Sequence, residues 1–279
     1  MAELRIAFLG DVVGAPGRCA VAHSWPKLRD LHAVHALVVN GENCRNGSGC
    51  SPDNFRELRR AGADAVTLGD HVFKDRTITE CLEDPRQPIS RPANLSVNSP
   101  GKRIVRVELP ERAPHSPPVY VMTVLGRLYM TLLSNSPFDA IDREMAAIPE
   151  RDALVIVEVH AEATSEKQAA AWYCLERWAG SSSGPRVVAV VGTHTHVQTA
   201  DARLLDHSLA AMTDLGMCGP HRSVIGRGVK ATLAAMADNS PSSLDVADGD
   251  IRACGCIVRI DTEHRRACGI EAVNISVPE

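Results

Sequence analysis

Short apolar runs that stop abruptly at glycine and are followed by a metal-ligand type of side chain recur along this chain. That pattern restricts its folds more than any other feature. Val187, Val188, Val190 and Val191 make a β-branched run that reads as a buried strand. Gly192 ends it, and His194 and His196 follow with one residue between them. In extended backbone, residues i and i+2 share a face, so the two imidazoles are expected to aim at one point past the strand end. Neutral imidazole is a common ligand for zinc, iron, copper and nickel. An isolated His-x-His is better explained as two hydrogen-bonded loop histidines, so the rest of the chain decides.

The same grammar begins at the N-terminus. Ile6–Leu9 reads as a strand, followed by the turn Gly10–Arg18 and a helix toward Leu31 that Pro26 is expected to kink or interrupt. Leu37–Val39 is a second strand running into Asn40-Gly41-Glu42-Asn43, and Pro52 opens a helix to Arg60 that Gly62 ends. Ala65–Leu68 is a third strand, closed by Gly69-Asp70-His71. Strand, helix, strand, helix, strand is the signature of βαβ units on a mostly parallel sheet. Further on, Arg103–Leu109 and Val119–Val124 read as a hairpin around the polar stretch Pro110–Pro118, and Asp139–Ile148 as a short amphipathic helix. Ala153–Val159 is a strand ending at His160; Ser165–Ala179 is a helix with Glu166, Lys167 and Glu176 toward water. Leu209–Met212 is a short strand, Asp214–Gly226 a glycine-containing loop and Lys230–Ala237 a helix. Arg252–Ile260 and Gly269–Val277 pair as a final hairpin. No repeat or linker-like stretch breaks the chain, so residues 1–279 are read as one α/β domain of two mixed sheets packed together with helices outside.

The net charge of −4 offers no broad basic surface for nucleic acid, and 4% aromatic residues argue against a base-stacking platform. An anionic ligand would therefore need a local source of positive charge, such as a metal. No leader-like segment precedes Leu4–Leu9 and no apolar run is long enough to span a bilayer. Nine cysteines, an odd number without a Cys-x-x-Cys pair, read as free thiols, and a cytoplasmic location is expected.

Five strand ends carry ligand-type residues: Asp11; Glu42 with Asn43; Asp70 with His71; His160; and His194 with His196. Ligands of open α/β sheets bind beyond the carboxyl ends of the strands. One carboxylate after a strand is ordinarily a helix cap, but five such placements favour a shared site. Its mixed nitrogen and oxygen donors, without cysteine, suit two transition ions of the iron, manganese or zinc kind. Two ions roughly 3.5–4 Å apart with a bridging carboxylate can share a hydroxide and neutralise phosphate oxygens, which fits in-line hydrolysis of a phosphoester.

In this order the motifs resemble the calcineurin-like metallophosphoesterase superfamily, and within it the bacterial YmdB-like family. The resemblance rests on Gly10–Gly14, Asn40–Asn43, Arg91–Asn94, His160–Lys167, Gly192–Asp201, Thr213–Met217, Gly219-Pro220 and Ser223–Gly226. It implies a four-layer α/β/β/α sandwich, a dinuclear site of iron, with manganese or zinc as alternatives, and phosphodiesterase activity on 2′,3′-cyclic nucleotides. It implies that Asp11, Glu42, Asn43 and His196 hold one ion, with Glu42 bridging to a second held by Asp70, His160 and His194. His71 would be the general acid. Self-association is also implied, though no exposed stripe in the sequence shows it.

Two positions depart from the family pattern: Asp70 stands where Asn is typical, and Glu158 where Asp is expected. Asp70 adds a negative charge beside the ions, which keeps open a second class of function, a regulatory or RNA-turnover partner with a structural or weakly active metal site. Glu158 shares a strand face with His160 and is either an outer partner of the site or a solvated strand residue. Arg91 and Arg127 could meet a phosphate or be structural. Trp172, Tyr173 and Trp178 read as core or interface, and His23, His32, His35, His115, His207, His221 and His264 as surface or loop residues, His221 being closest to a motif.

Overall fold

A computed structural model describes residues 3–109, 113 and 116–278. The first half contains strands β1 (Glu3–Leu9) and β2 (Asp11–Val12), helix α1 (Gly14–Leu31), β3 (Ala36–Asn40), α2 (Pro52–Arg60), β4 (Ala65–Thr67), α3 (Thr79–Glu83) and β5 (Ile89–Ser90). There follow β6 (Ile104–Arg106), β7 (Val119–Leu125), α4 (Pro137–Ala147), β8 (Leu154–His160), α5 (Thr164–Cys174) and β9 (Arg186–Thr193). The chain closes with β10 (Arg203–Leu205), β11 (Leu209–Met212), β12 (Met217–Pro220), α6 (Val229–Ala237), β13 (Ile251–Asp261) and β14 (Arg266–Ser276).

Two mixed sheets result. In the first, β1, β3, β4 and β5 run parallel side by side, and β13 joins antiparallel to β1 with β14 beyond it. In the second, β7, β8, β9 and β11 are parallel, with β6 and β10 antiparallel at the edges. Strand alternation explains the layering. On β1, Leu4, Ile6 and Phe8 point between the sheets, where they meet Val121, Ile156 and Val191. Ala7 and Leu9 point the other way, onto Ala20 and Leu28 of α1 and Phe55 and Leu58 of α2. On the far face, Val155 and Val157 of β8 cover Ala140 and Ile141 of α4 and Ala170 of α5. The helix–sheet–sheet–helix order is the expected four-layer sandwich.

The parallel core strands carry apolar side chains on both faces, which is why they read as continuous hydrophobic runs. Each buried Leu, Ile, Val or Phe contributes about 1.5–3 kcal/mol through burial. The carboxyl ends of β1, β3, β4, β8 and β9 therefore emerge at one edge, with their polar successors beyond the core.

Several details differ from expectation. Helix α1 runs through Pro26 without a break. Pro26 and Ala22, whose carbonyl loses its partner, both lie on the exposed face, so the freed carbonyl is open to solvent. Helix α1 also begins at Gly14, inside the expected turn. Strand β12 lies within the expected Asp214–Gly226 loop, where its shortness and its glycine and proline conceal it; it pairs with β2 and β13. The helix expected over Ser165–Ala179 is regular only to Cys174 and continues as a wider π-type turn, Leu175–Ala179. In the expected loop Pro110–Pro118, residues 110–112, 114 and 115, including His115, lie outside the described residues. Among the described residues, no helix is long and apolar enough to cross a membrane.

Lys167 is the largest departure. The helical pattern puts it in water, yet it is 3% exposed and pairs with Asp214 at 2.7 Å. Removing one member of a buried ion pair leaves the other without compensation. Lys167→Met is expected to lower unfolding free energy by about 3–5 kcal/mol, measured by urea denaturation; an unchanged midpoint would show that Asp214 needs no counter-charge.

Candidate metal centre

The ligand-type residues converge beyond the strand ends. Glu42, from the loop after β3, is 1% exposed. Its Oε2 lies 3.2 Å from His160 Nε2 and accepts the His71 backbone N–H at 3.2 Å. Its Oε1 accepts from Asn43 Nδ2 at 3.0 Å. The backbone N–H of Glu42 donates to Asn40 Oδ1 at 3.1 Å, which pins the turn after β3.

Two clusters of donors lie on either side of this carboxylate. On one side are Asp70, His160 and His194: His160 Nε2 stands 3.0 Å from Asp70 Oδ1, and His194 Nδ1 stands 3.1 Å from His160 Nε2 and 3.5 Å from Asp70 Oδ1. One donor atom from each of Glu42, Asp70, His160 and His194 falls within 4.8 Å of all the others. On the other side, His196 Nε2 lies 3.2 Å from Asn43 Nδ2 and 3.8 Å from Asp11 Oδ1. Asp11 Oδ2 accepts the His194 backbone N–H at 3.0 Å.

His194 and His196 do not share a face as extended backbone would require. Strand β9 ends at Thr193, and both histidines have positive φ, 96° and 65°. Non-glycine residues rarely occupy this region, and such strain gathers at functional sites. The turn is held from below: Asp214 accepts the Thr195 backbone N–H at 3.2 Å and its hydroxyl at 2.7 Å. The result is that the two imidazoles diverge, His194 toward Asp70 and His196 toward Asn43.

Electrostatics show what the cluster lacks. Burial pushes the Asp11 carboxyl up to about 7, reinforced by Glu42 and Asp214. Its Oδ1 is buried and has no hydrogen-bond partner. Burial opposes charge on Glu42 and Asp70 as well, yet His160 and its neighbours hold both below the usual carboxylate range. Burial also opposes charge on His160, but Glu42 and Asp70 more than offset it and hold the imidazole well above its ordinary value. His160 Nε2 thus stands where several carboxylate oxygens converge and favour positive charge. Burial lowers His196, whose Nδ1 donates to the Ile225 carbonyl at 3.0 Å, leaving Nε2 as a lone-pair donor.

This donor set fits a transition ion: buried, mixed nitrogen and oxygen, with an orphaned carboxylate oxygen facing an imidazole lone pair. Asn43 fits with one adjustment. It presents Nδ2 to His196 and Glu42 and Oδ1 to His71 Nδ1, at 2.7 Å. Holding an ion through oxygen needs a half-turn of the carboxamide, whose two ends are nearly the same size and shape.

A cavity of about 410 Å³ opens onto the cluster, lined among others by Glu42, Asn43, His71, Glu162, His194, His196, Ile225 and Arg227. The His71 side chain is 30% exposed on its wall, with Nε2 3.8 Å from Asp70 Oδ2. Sequence reasoning assigns no role to Glu162, 3.3 Å from His194 Nε2, or to Asp214. Asp214 follows β11 just as the other acids follow their strands, a signal that would have found it. Glu158 is fully buried beneath His160 and is no solvated strand residue. Arg91 is structural, buried and bonded to the carbonyls of Pro92, Ser96 and Ser99. Arg127 lines a separate cavity with Leu128 and Phe138. Tyr173 and Trp178 both donate to Asp142, tying α5 and the turn after it to α4.

Gly69 lies against this cluster, and a Cβ there would collide with Glu42 Oε2 and His160 Nε2. Gly69→Ala is expected to fold but to weaken Mn2+ binding by roughly 10–100-fold, the range seen when groups supporting metal ligands are disturbed. Calorimetric titration measures this; unaltered affinity would place the ion elsewhere.

The sequence and the fold lead to the same relatives. The profile of the YmdB-like protein family matches residues 7–273. A Bacillus subtilis (strain 168) protein named 2′,3′-cyclic-nucleotide 2′-phosphodiesterase is 36% identical over 98% of this chain and 97% of its own length. A Mycoplasma pneumoniae protein named a putative phosphatase/phosphodiesterase is 27% identical over 99% of this chain and 94% of its own. A crystal structure of a hypothetical protein from Thermus thermophilus superposes with a TM-score of 0.86 at 35% identity, covering 99% of this chain and 100% of that one. A Mycoplasma pneumoniae structure described as a novel phosphatase has a TM-score of 0.86 at 26% identity, covering 99% of this chain and 94% of that one. The chain belongs to the YmdB-like protein family.

Proposed function

We propose that this protein is a metal-dependent phosphodiesterase that opens 2′,3′-cyclic nucleotides. The observation that carries the reading is the cluster of Glu42, Asp70, His160 and His194 beneath the cavity, with Asn43, His196 and Asp11 beside it. The Bacillus relative, matched along nearly the whole chain, supports the substrate class. In this reading residues 1–279 act as one domain with one site. Nine unpaired cysteines suit a reducing, cytoplasmic setting.

Asp11, Glu42, Asn43 and His196 would hold one ion, and Glu42, Asp70, His160 and His194 a second, with iron, manganese or zinc suited to the donors. When bound, such ions supply the positive charge that an anionic ester needs and acidify the attacking water. The protein's own contribution begins with exclusion. The acids are buried, so the charge they collect is not screened by solvent. Glu42 is fixed by Asn40 from behind, and the turn carrying both histidines is fixed by Asp214. The cyclic phosphate enters over Glu42 beside His71. Water gives up one proton as its oxygen bonds to phosphorus, the ribose P–O bond opposite it breaks, and the departing oxygen takes a proton from His71, which the proton released by water then restores. With the Asn43 carboxamide turned to hold an ion, its NH2 would donate to His71 Nδ1, which would leave the hydrogen on Nε2, facing Asp70 and the cavity. Arg227 is not a free phosphate clamp, because its guanidinium already donates to the carbonyls of Asn46, Gly47 and Leu244.

Asp70 carries a full charge where the family typically has an amide. Asp70→Asn is expected to retain two ions and to change kcat more than metal content, read by metal analysis beside steady-state kinetics. Loss of metal from that variant would contradict it. Mn2+-loaded protein is expected to hydrolyse 2′,3′-cyclic AMP, and His71→Ala to lower kcat by roughly 10²–10⁴-fold, the usual contribution of general acid catalysis. Two ions bound without turnover in the wild type would instead assign the protein to the regulatory class.

A further inference from the structure

Beneath the ion-holding residues lies a second polar layer that no motif marks. Its centre is Glu158 on β8, fully buried, with three donors on its carboxylate. Asn40 Nδ2 donates to Oε1 at 2.6 Å, Thr193 Oγ1 donates to Oε1 at 2.7 Å, and Thr123 Oγ1 donates to Oε2 at 2.7 Å. The three come from β3, β9 and β7, so one carboxylate ties the first sheet to three adjacent strands of the second. Both outer donors lead directly to the site. Asn40 uses its other end, Oδ1, to hold the Glu42 backbone N–H. Thr193 Oγ1 lies 2.8 Å from His160 Nδ1.

We infer that Glu158 is a positioning residue that sets both the placement of Glu42 and the nitrogen through which His160 binds an ion. This deepens the reading of Glu42 and His160 as ion-holding residues and rests on it. A hydroxyl has one hydrogen, and an ionised carboxylate can only accept. Once Thr193 gives its hydrogen to Glu158, its oxygen can only accept from His160, so Nδ1 carries a hydrogen. The free lone pair is then on Nε2, the nitrogen that faces Glu42 Oε2 and Asp70 Oδ1. Outer partners commonly fix a ligating histidine in this way, and here the acceptor is relayed through a hydroxyl. Asn40 likewise has its amide orientation dictated: its NH2 end must face Glu158, so its oxygen must face Glu42. A solitary buried carboxylate on a strand would be costly. Three donors satisfy this one and convert it into a two-armed brace.

The test uses three variants loaded with Zn2+, a diamagnetic ion, and two readouts that need no turnover. Zn2+ affinity is measured by competition with a chelating dye. The His160 Nδ1–H is followed as a downfield, slowly exchanging proton in spectra of protein labelled with 15N-histidine, assigned by its loss in His160→Gln. Thr193→Val has the shape of threonine without the hydroxyl; it is expected to abolish the protected proton and weaken Zn2+ by roughly 10–100-fold. Glu158→Leu is expected to do the same. Glu158→Gln keeps a carbonyl acceptor for Asn40 and Thr193, and is expected to retain the proton and stay within about threefold of wild type, far inside that range. Circular dichroism and thermal melting of each variant separate loss of fold from loss of binding, with Thr193→Val as the variant that leaves packing intact. Wild-type affinity and an unshifted His160 proton in Thr193→Val would overturn the inference. So would a Glu158→Gln protein as impaired as Glu158→Leu. A wild type that binds no Zn2+ would overturn the ion-holding reading together with this one, whereas binding that is indifferent to all three variants overturns this one alone.

Discussion

Glu42 is a carboxylate taken out of water and placed between two groups of donors, and the rest of the architecture answers to that charge. An isolated buried carboxylate is too costly for a fold to keep without compensation. Here compensation comes from His160, whose Nε2 lies 3.2 Å from Glu42 Oε2 and 3.0 Å from Asp70 Oδ1 and whose imidazole these carboxylates make more basic than usual. It is incomplete on the other side, where Asp11 Oδ1 has no partner and the Asp11 carboxyl is pushed up to about 7. A centre that crowds two carboxylates around one imidazole nitrogen and leaves another carboxylate oxygen orphaned is arranged for cations.

Holding these groups in place needs atoms from both sheets. Glu42, Asp11 and Asp70 follow strands of the first sheet, while His160, His194 and His196 follow strands of the second. Apolar packing between the sheets sets their distance but cannot set the angles of imidazoles and carboxylates. Two buried acids serve that purpose. Asp214, paired with Lys167, bends the turn after β9 so that its histidines diverge. Glu158 ties Asn40 to Thr193 across the sandwich. The family to which the chain belongs fits this chemistry, since a phosphodiester brings negative charge that the protein's acidic composition could not otherwise attract.

Much of this was legible in the sequence. β-Branched runs with abrupt glycine stops marked the parallel strands, and the residues just beyond them proved to be the ones brought together at one edge. The supporting layer was not legible, for physical reasons. Thr193, Thr123 and Asn40 look like ordinary strand residues, and Glu158 acquires its role only when two sheets close over it. Lys167 sits among water-facing residues on α5, and only the packing of that helix over Asp214 buries it. The divergence of His194 and His196 depends on positive φ at both, which neither residue favours and which a period-two pattern does not foresee. Pro26 misled in the other direction: helix α1 runs on through it, with the carbonyl it frees, on Ala22, on the exposed face.

The central claim is that Glu42 divides two cation positions. Anomalous diffraction from crystals of the Mn2+-loaded protein measures this most directly. Two peaks are expected, one among Glu42, Asp70, His160 and His194 and the other among Glu42, Asp11, Asn43 and His196. A single peak, or peaks that leave Glu42 outside both, would contradict the account.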